Sequence, residues 1–145
     1  MIRLMTIEDY AEVYQLWLSC TGMGLNTLDD SQAGIEKFLR RNPTSCFVAT
    51  TQERIVGSIM SGHDGRRGFI YHASVHPDYR HQGIATQLID AALDALKEEG
   101  IAKVAFVVFA RNKEGNAFWE RLGFQLRDDL VYRDKTLIEF ERFDT

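Results

Sequence analysis

Between residues 69 and 109 a strand, a long amphipathic helix and a second strand follow one another with little spare chain. No other part of the sequence limits the fold as much. Phe69–Val75 has strand character and Pro77 closes it. Leu88, Ile89, Ala92, Leu93 and Leu96 then recur on one helical face, and Gly100 supplies a C-terminal cap. Lys103–Phe109 (Lys-Val-Ala-Phe-Val-Val-Phe) is a near-continuous apolar run, the pattern of a strand covered on both faces. This alternation points to a mixed α/β fold.

The flanking segments agree. Residues 2–5 form a short strand, and Thr6 with Asp9 resembles a capping box. Tyr10, Val13, Leu16 and Trp17 then recur at helical spacing. Gly22, Gly24 and Asn26 break that helix, and a second one carries Ile35, Phe38 and Leu39 on one face before Pro43. Phe47–Thr51, Ile55–Gly62 and Phe69–Val75 make an antiparallel meander with short connections, Gln52-Glu53-Arg54 and 63–68. A helix over 114–122 stops at Gly123, and Phe124–Val131 with Thr136–Phe143 is expected to close the chain as an antiparallel pair. The expected order is β-α-α-β-β-β-α-β-α-β-β, with residues 1–145 as one domain.

Composition removes several function classes. Seventeen Lys+Arg against 21 Asp+Glu give a net charge of −4, so no global basic field favours nucleic acid. Any anionic ligand must be held by local geometry. Cys20 and Cys46 fit no metal-ligand spacing and no disulfide framework, which predicts two reduced, semi-buried thiols. No apolar run approaches the ~20 residues of a membrane span, and the start has no leader character; a soluble cytoplasmic protein is expected.

The chemistry concentrates where the strand 71–75 passes through His76-Pro77-Asp78-Tyr79 into Arg80-His81-Gln82-Gly83-Ile84-Ala85-Thr86. A helix N-terminus leaves backbone N–H groups unsatisfied, and its dipole favours an anion. Gly83 and Ala85 allow a diphosphate to approach the backbone closely, and Arg80 can add a charge-assisted contact. There is no G-x-G-x-x-G after a strand. Gly57 and Gly62 have P-loop spacing, but His63-Asp64 follows them in place of Lys-Ser or Lys-Thr. His72 and His76 are no metal pair either, because four strand residues span ~13 Å; no metal is expected.

The run Val75–Ala85 (V-H-P-D-Y-R-H-Q-G-I-A) resembles motif A of the GCN5-related N-acetyltransferases, the GNAT family. Asn112–Phe124 (N-K-E-G-N-A-F-W-E-R-L-G-F) resembles that family's motif B, and the two lie one helix and one strand apart, as the family requires. With the leading β-α-α and the closing pair, the resemblance spans essentially the whole chain. It implies a mostly antiparallel central sheet flanked by helices, with acetyl-coenzyme A as acyl donor and transfer to a primary amine by direct attack in a ternary complex. It further implies that backbone groups of Ala73 and Val75 pair with the pantetheine arm. The amides of His81, Gln82, Gly83, Ile84, Ala85 and Thr86 would cradle the pyrophosphate. Asn112 would contact the cofactor near the pantetheine, and Phe118 and Trp119 would line the thioester end. The acceptor would be a small-molecule amine or a protein amino group, and the assembly a monomer or homodimer.

At pH 7 only about one amine in a few thousand is neutral when its pKa is ~10.4, so a general base has work to do. Tyr71 and His72 lie on the strand that often supplies it, and strict strand alternation would send their side chains to opposite faces. A backbone N–H near Val75 would stabilise the tetrahedral oxyanion. Trp119 stands where many members of the family carry a tyrosine acid, and indole donates a hydrogen bond without being a proton donor. Tyr132 is the candidate replacement. The same departure supports a second expectation, a non-catalytic acyl-CoA-binding module on this scaffold.

Overall fold

The computed structural model describes residues 1–145. Along the chain run β1 (Ile2–Leu4), α1 (Tyr10–Leu18), β2 (Leu25–Asn26), α2 (Gln32–Arg41), β3 (Phe47–Thr51), β4 (Arg54–His63) and β5 (Gly68–Val75). They are followed by α3 (Ile84–Glu98), β6 (Val104–Ala105), α4 (Lys113–Arg121) and β7 (Arg142–Phe143). Five strands form the central sheet in the order β1-β3-β4-β5-β6, antiparallel throughout except for the parallel β5–β6 pair. The mixed α/β class and the 47–75 meander are as the sequence implies.

Two apolar layers sandwich this sheet. On one side Val13, Leu16 and Trp17 of α1 and Ile35 of α2 pack with Val48 and Met60. On the other, Leu88, Ile89 and Ala92 of α3 pack with Ala49, Ile59, Ile70 and Val75. The long helix therefore buries the stripe that its periodicity marks, with Leu93 only partly covered. Gly100 adopts φ +79° just beyond α3, a left-handed geometry that favours glycine, and the Ile101 N–H returns to the Leu96 carbonyl. At the other end of the chain, the Asp9 carboxylate accepts from the Thr6 N–H (2.9 Å) and is clasped by Arg3, which lowers its pKa below the usual carboxylate range.

Three expectations are corrected. The closing antiparallel pair 124–131/136–143 is not formed. Within the first segment Asp128-Asp129 makes a turn instead, with Arg127 fastened to Asp129 at 2.8–2.9 Å and the Leu130 N–H returning to the Arg127 carbonyl. Of the second segment only Arg142–Phe143 enters a ladder, and its partner is Leu25–Asn26. Lys103–Phe109 is covered on one face rather than two. Val104, Phe106 and Val108 are half-buried while Ala105 and Val107 are exposed, because α4 covers a single side. Finally, Tyr71 and His72 do not point to opposite faces. The β4–β5 register slips between Met60 and Ser61, so that Tyr71 has no partner across the ladder. Tyr71 meets Phe38 of α2 and His72 meets Trp17 of α1, both on the α1/α2 side.

Trp17 is fully buried and its Nε1–H donates to Ser58 Oγ at 3.2 Å, so it joins α1 to the middle of β4. Trp17→Ala is expected to destabilise the fold by about 3–5 kcal/mol, and Trp17→Phe by clearly less, in denaturant unfolding monitored by circular dichroism.

Candidate functional site

The sheet opens where the two motifs meet. β5 and β6 are paired only at Gly68–Val104 and Phe69–Ala105. Beyond Phe69 the strands part, leaving the far half of β5 without a neighbour on that edge. Ala73 is exposed there, and at the end of the strand comes the turn Pro77–Tyr79 leading into α3.

The loop before α3 is shaped by backbone geometry. His81 and Gly83 both adopt positive φ, +63° and +78°. Gly83 is the N-cap of α3, with no side chain capping the helix, and the first intrahelical bond is Gln87 N–H to the Gly83 carbonyl (3.1 Å). The amides of Ile84, Ala85 and Thr86 thus have no acceptor within the helix. A Cβ on Gly83 would meet no atom within 4 Å, so this helix end faces open space. Arg80 turns inward from the same loop: Nε donates to the Val75 carbonyl (3.2 Å) and Nη2 contacts Cys20 Sγ (3.8 Å). Cys20 in turn donates to that carbonyl at 3.7 Å. Arg80 therefore fastens the loop to the end of β5 and to the C-terminus of α1.

On the far wall Asn112 is the N-cap of α4, its Oδ1 accepting from the Gly115 N–H at 2.9 Å. A Cβ on Gly115 would lie 2.5 Å from the Asn112 side-chain amide, so a larger residue there would displace the cap. Phe118 and Trp119 follow on α4. Trp119 is half-buried, with its ring centroid 4.2 Å from that of Phe106 and 5.0 Å from that of Phe124, so it binds α4 to β6.

The three proton-transfer candidates divide. His72 is buried, its Nε2 2.7 Å from Asp30 Oδ1, with Trp17 edge-on at 4.8 Å and Nδ1 without a partner. Asp30 is itself 4% exposed; its other oxygen accepts from Asn26 N–H (2.9 Å) and its carbonyl from the Tyr10 hydroxyl (2.6 Å). The pair holds the segment between α1 and α2 against β5. Sequence reasoning missed Asp30, because 42 residues separate it from His72 and no local pattern couples them. Tyr71 and Tyr132 are exposed and lie near each other. Partial burial raises the Tyr71 phenol pKa above its usual value, and the charges of neighbouring Asp29 and Tyr132 add to the effect. Asp29 was also missed.

Cys20 and Cys46 are free thiols, as expected, but fully rather than partly buried, and burial pushes the Cys46 pKa up to about 12. No group of three or more His, Cys, Asp or Glu side chains is gathered as a metal site. No helix is long and apolar enough to cross a membrane.

The model of the acetyltransferase (GNAT) family matches residues 10–124, a span that contains the open edge of β5, the α3 N-terminus and α4. The chain belongs to this family. An acetyltransferase of Sodalis glossinidius is 35% identical over 142 residues, covering 98% of this chain and 99% of that one. One of Yersinia enterocolitica is 32% identical over 140 residues, covering 97% and 98%. Among solved structures, Ard1 of Thermoplasma volcanium superposes with a TM-score of 0.75 at 25% identity, over 88% of this chain and 83% of that one. The PaiA N-acetyltransferase of Thermoplasma acidophilum, solved in complex with coenzyme A, reaches 0.77 at 19% identity over 88% and 91%. This second likeness is one of fold. In this GNAT chain the unpaired edge of β5 is followed, after one loop, by the uncapped end of α3.

Asp30→Ala leaves buried His72 without a partner on either ring nitrogen and also frees the Asn26 amide. It is expected to cost about 1–3 kcal/mol in urea unfolding, with Asp30→Asn recovering most of the loss.

Proposed function

We propose that residues 1–145 act as one acetyl-coenzyme A-dependent N-acetyltransferase unit that moves an acetyl group to a primary amine by direct attack in a ternary complex. The observation that carries this is the succession of two unsatisfied features: the unpaired edge of β5 and, after the 76–83 loop, the uncapped amides of α3. An extended pantetheine arm suits the open strand edge. A pyrophosphate suits the helix end, where N–H groups and the dipole both favour an anion. In this reading backbone groups of Ala73 and the Val75 N–H take the arm, since the Val75 carbonyl already accepts from Arg80 and Cys20. The amides from His81 through Gln82, Gly83, Ile84 and Ala85 to Thr86 take the pyrophosphate. The inward turn of Arg80 supports a bracing role for its side chain. Asn112, Phe118 and Trp119 line the opposite wall.

In the reaction the amine nitrogen forms a C–N bond to the acetyl carbon, the thioester C–S bond breaks, and the proton lost by the amine ends on the departing thiolate or in water. The oxyanion would be stabilised by a backbone N–H near Val75. Tyr71 is the candidate donor to the thiolate: a phenol is protonated at pH 7 without any shift, and the partial burial that raises its pKa makes it a weaker acid rather than a stronger one. Tyr132 stands beside it as the alternative donor. The burial of His72 and its bond to Asp30 support a role in positioning β5 rather than in direct proton transfer. Cys46, held as a thiol by burial, is poorly suited to an acyl-enzyme route.

One observation favours the second reading, a non-catalytic acyl-CoA-binding module: Trp119 is packed against Phe106 and Phe124 where a tyrosine acid would stand. Thiol release from acetyl-CoA separates the two. Release that rises with added primary amine is expected, and tight acetyl-CoA binding without release across a broad amine panel would favour the module. Gly83→Glu is expected to weaken acetyl-CoA binding by more than about tenfold in calorimetry, because it sets a negative charge in the cradle. Gly83→Ala, which carries only the left-handed strain of about 1–2 kcal/mol, should bind nearly as well once folded. Equal affinity in folded wild type and Gly83→Glu would remove the cradle from this helix end.

A further inference from the structure

A second cavity, of about 400 Å³, lies between the C-terminal end of α2 and the β4–β5 turn. One end is cationic, with Arg41 from α2 and Arg67 from the turn both lining it. The other is an aromatic wall of Phe38, Phe69 and Tyr71, whose rings pack at 4.7 and 5.4 Å about Tyr71. Tyr71 is also the bulge residue, two positions past the point where β5 and β6 part, so the cavity reaches the unpaired stretch of β5.

Of the other titratable groups lining the cavity, Asp64 keeps its negative charge, held by backbone amides and within ion-pair distance of neither arginine, and His63 is paired outside it. Asp64 Oδ1 accepts from the Arg66 and Arg67 amides at 2.8 Å each. His63 Nε2 is bonded to Glu99, and its Nδ1 accepts from the Gly65 N–H. Arg41 and Arg67 differ: neither lies within ion-pair distance of any carboxylate. Arg67 donates only to the neighbouring Arg66 carbonyl. Two guanidinium groups on one small cavity repel each other and leave their planar donor forks for an anion. At the Tyr71 end the lining is aromatic and carries no cation. A molecule lying along the cavity therefore meets the Arg41 and Arg67 guanidiniums toward one end and the aromatic wall toward the other.

We propose that this cavity is the acceptor subsite and that it takes a primary amine carrying an anionic group, a carboxylate or a phosphate, at its far end. Arg41 and Arg67 hold the anion, the chain between lies on Phe38, Phe69 and Tyr71, and the amine reaches the Tyr71 end. Arg67 and Tyr71 are four strand steps apart, ~13 Å along the backbone, and the arginine side chain spans part of that distance. The amine and the anion are thus separated by several bonds. The inference rests on the acetyltransferase reading for the word acceptor, and on the cavity alone for the class of ligand.

The test uses 6-aminohexanoate, 6-aminohexyl phosphate and hexylamine, three amines alike except for the terminal group. Each is titrated calorimetrically into the full chain, and thiol release is followed separately. At least one anion-bearing amine is expected to bind about tenfold or more tighter than hexylamine, and which one does so identifies the anion. The Arg41→Gln/Arg67→Gln double variant should lose that preference while keeping its acetyl-CoA affinity. Equal binding of all three amines by wild type, or a preference that survives in the double variant, would overturn the inference. Turnover of hexylamine as efficient as that of both anionic amines would overturn it while leaving acetyl transfer intact. Anion-dependent binding with no thiol release would instead remove the acetyl-transfer reading, and the acceptor role with it.

Discussion

Opposite Met60 and Ser61 the β4–β5 ladder slips by one residue, and the division of labour along β5 depends on that slip. Before it, Ile70 points into the α3 layer; after it, His72 and Ser74 point toward α1. Tyr71, left unpaired, leans onto Phe38 at the rim. The strand kinks locally at such a bulge. The parallel pairing with β6 ends at Phe69, two residues earlier. A regular strand would have kept Ile70 and His72 on one face, setting an imidazole among Leu88 and Ile89 without its carboxylate. The bulge thus allows one strand to serve an apolar layer on one side and a polar network on the other.

That network gives the bulge its stability. Trp17, Ser58 and Ser74 form a buried chain of hydrogen bonds, with Ser58 Oγ 3.1 Å from Ser74 Oγ, and Trp17 also packs edge-on to His72. His72 passes the connection to Asp30, and Asp30 to the Asn26 amide and Tyr10. Asn26 lies in β2, which pairs with β7, so the C-terminus is held by the same segment. Residues far apart in the chain are fixed in one piece, and the rim bearing Asp29 is held at a set distance from Tyr71.

What was legible in the sequence was local. The α3 stripe, its Gly100 cap and the 80–86 loop depend on neighbours within a turn or two, and they stand where the pattern put them. The meander followed from short polar turns. The bulge was not legible, since a slipped register leaves no mark in a run such as Phe-Ile-Tyr-His-Ala, and strict alternation then misassigned Tyr71. The closing pair failed because Asp128-Asp129 is a stronger turn signal than its apolar flanks are a strand signal. Asp30 and Arg41 escaped notice for a further reason: their partners are 42 and 26 positions away in the chain (His72 and Arg67), and only the tertiary fold brings them together.

Trp119 shows how these levels interact. Read alone, it is a lost acid. In the structure it is a wedge between α4, Phe106 and Phe124, and a tyrosine there would give up part of that aromatic contact. The wedge matters because only two residue pairs join β6 to β5, so β6 depends on α4 packing for its position. Holding the opposite wall of the cleft rigid and protonating a thiolate are separate tasks, and one side chain need not do both. A thiolate with a pKa near ~8.5 leaves without full protonation, so the chemical demand on an acid is modest.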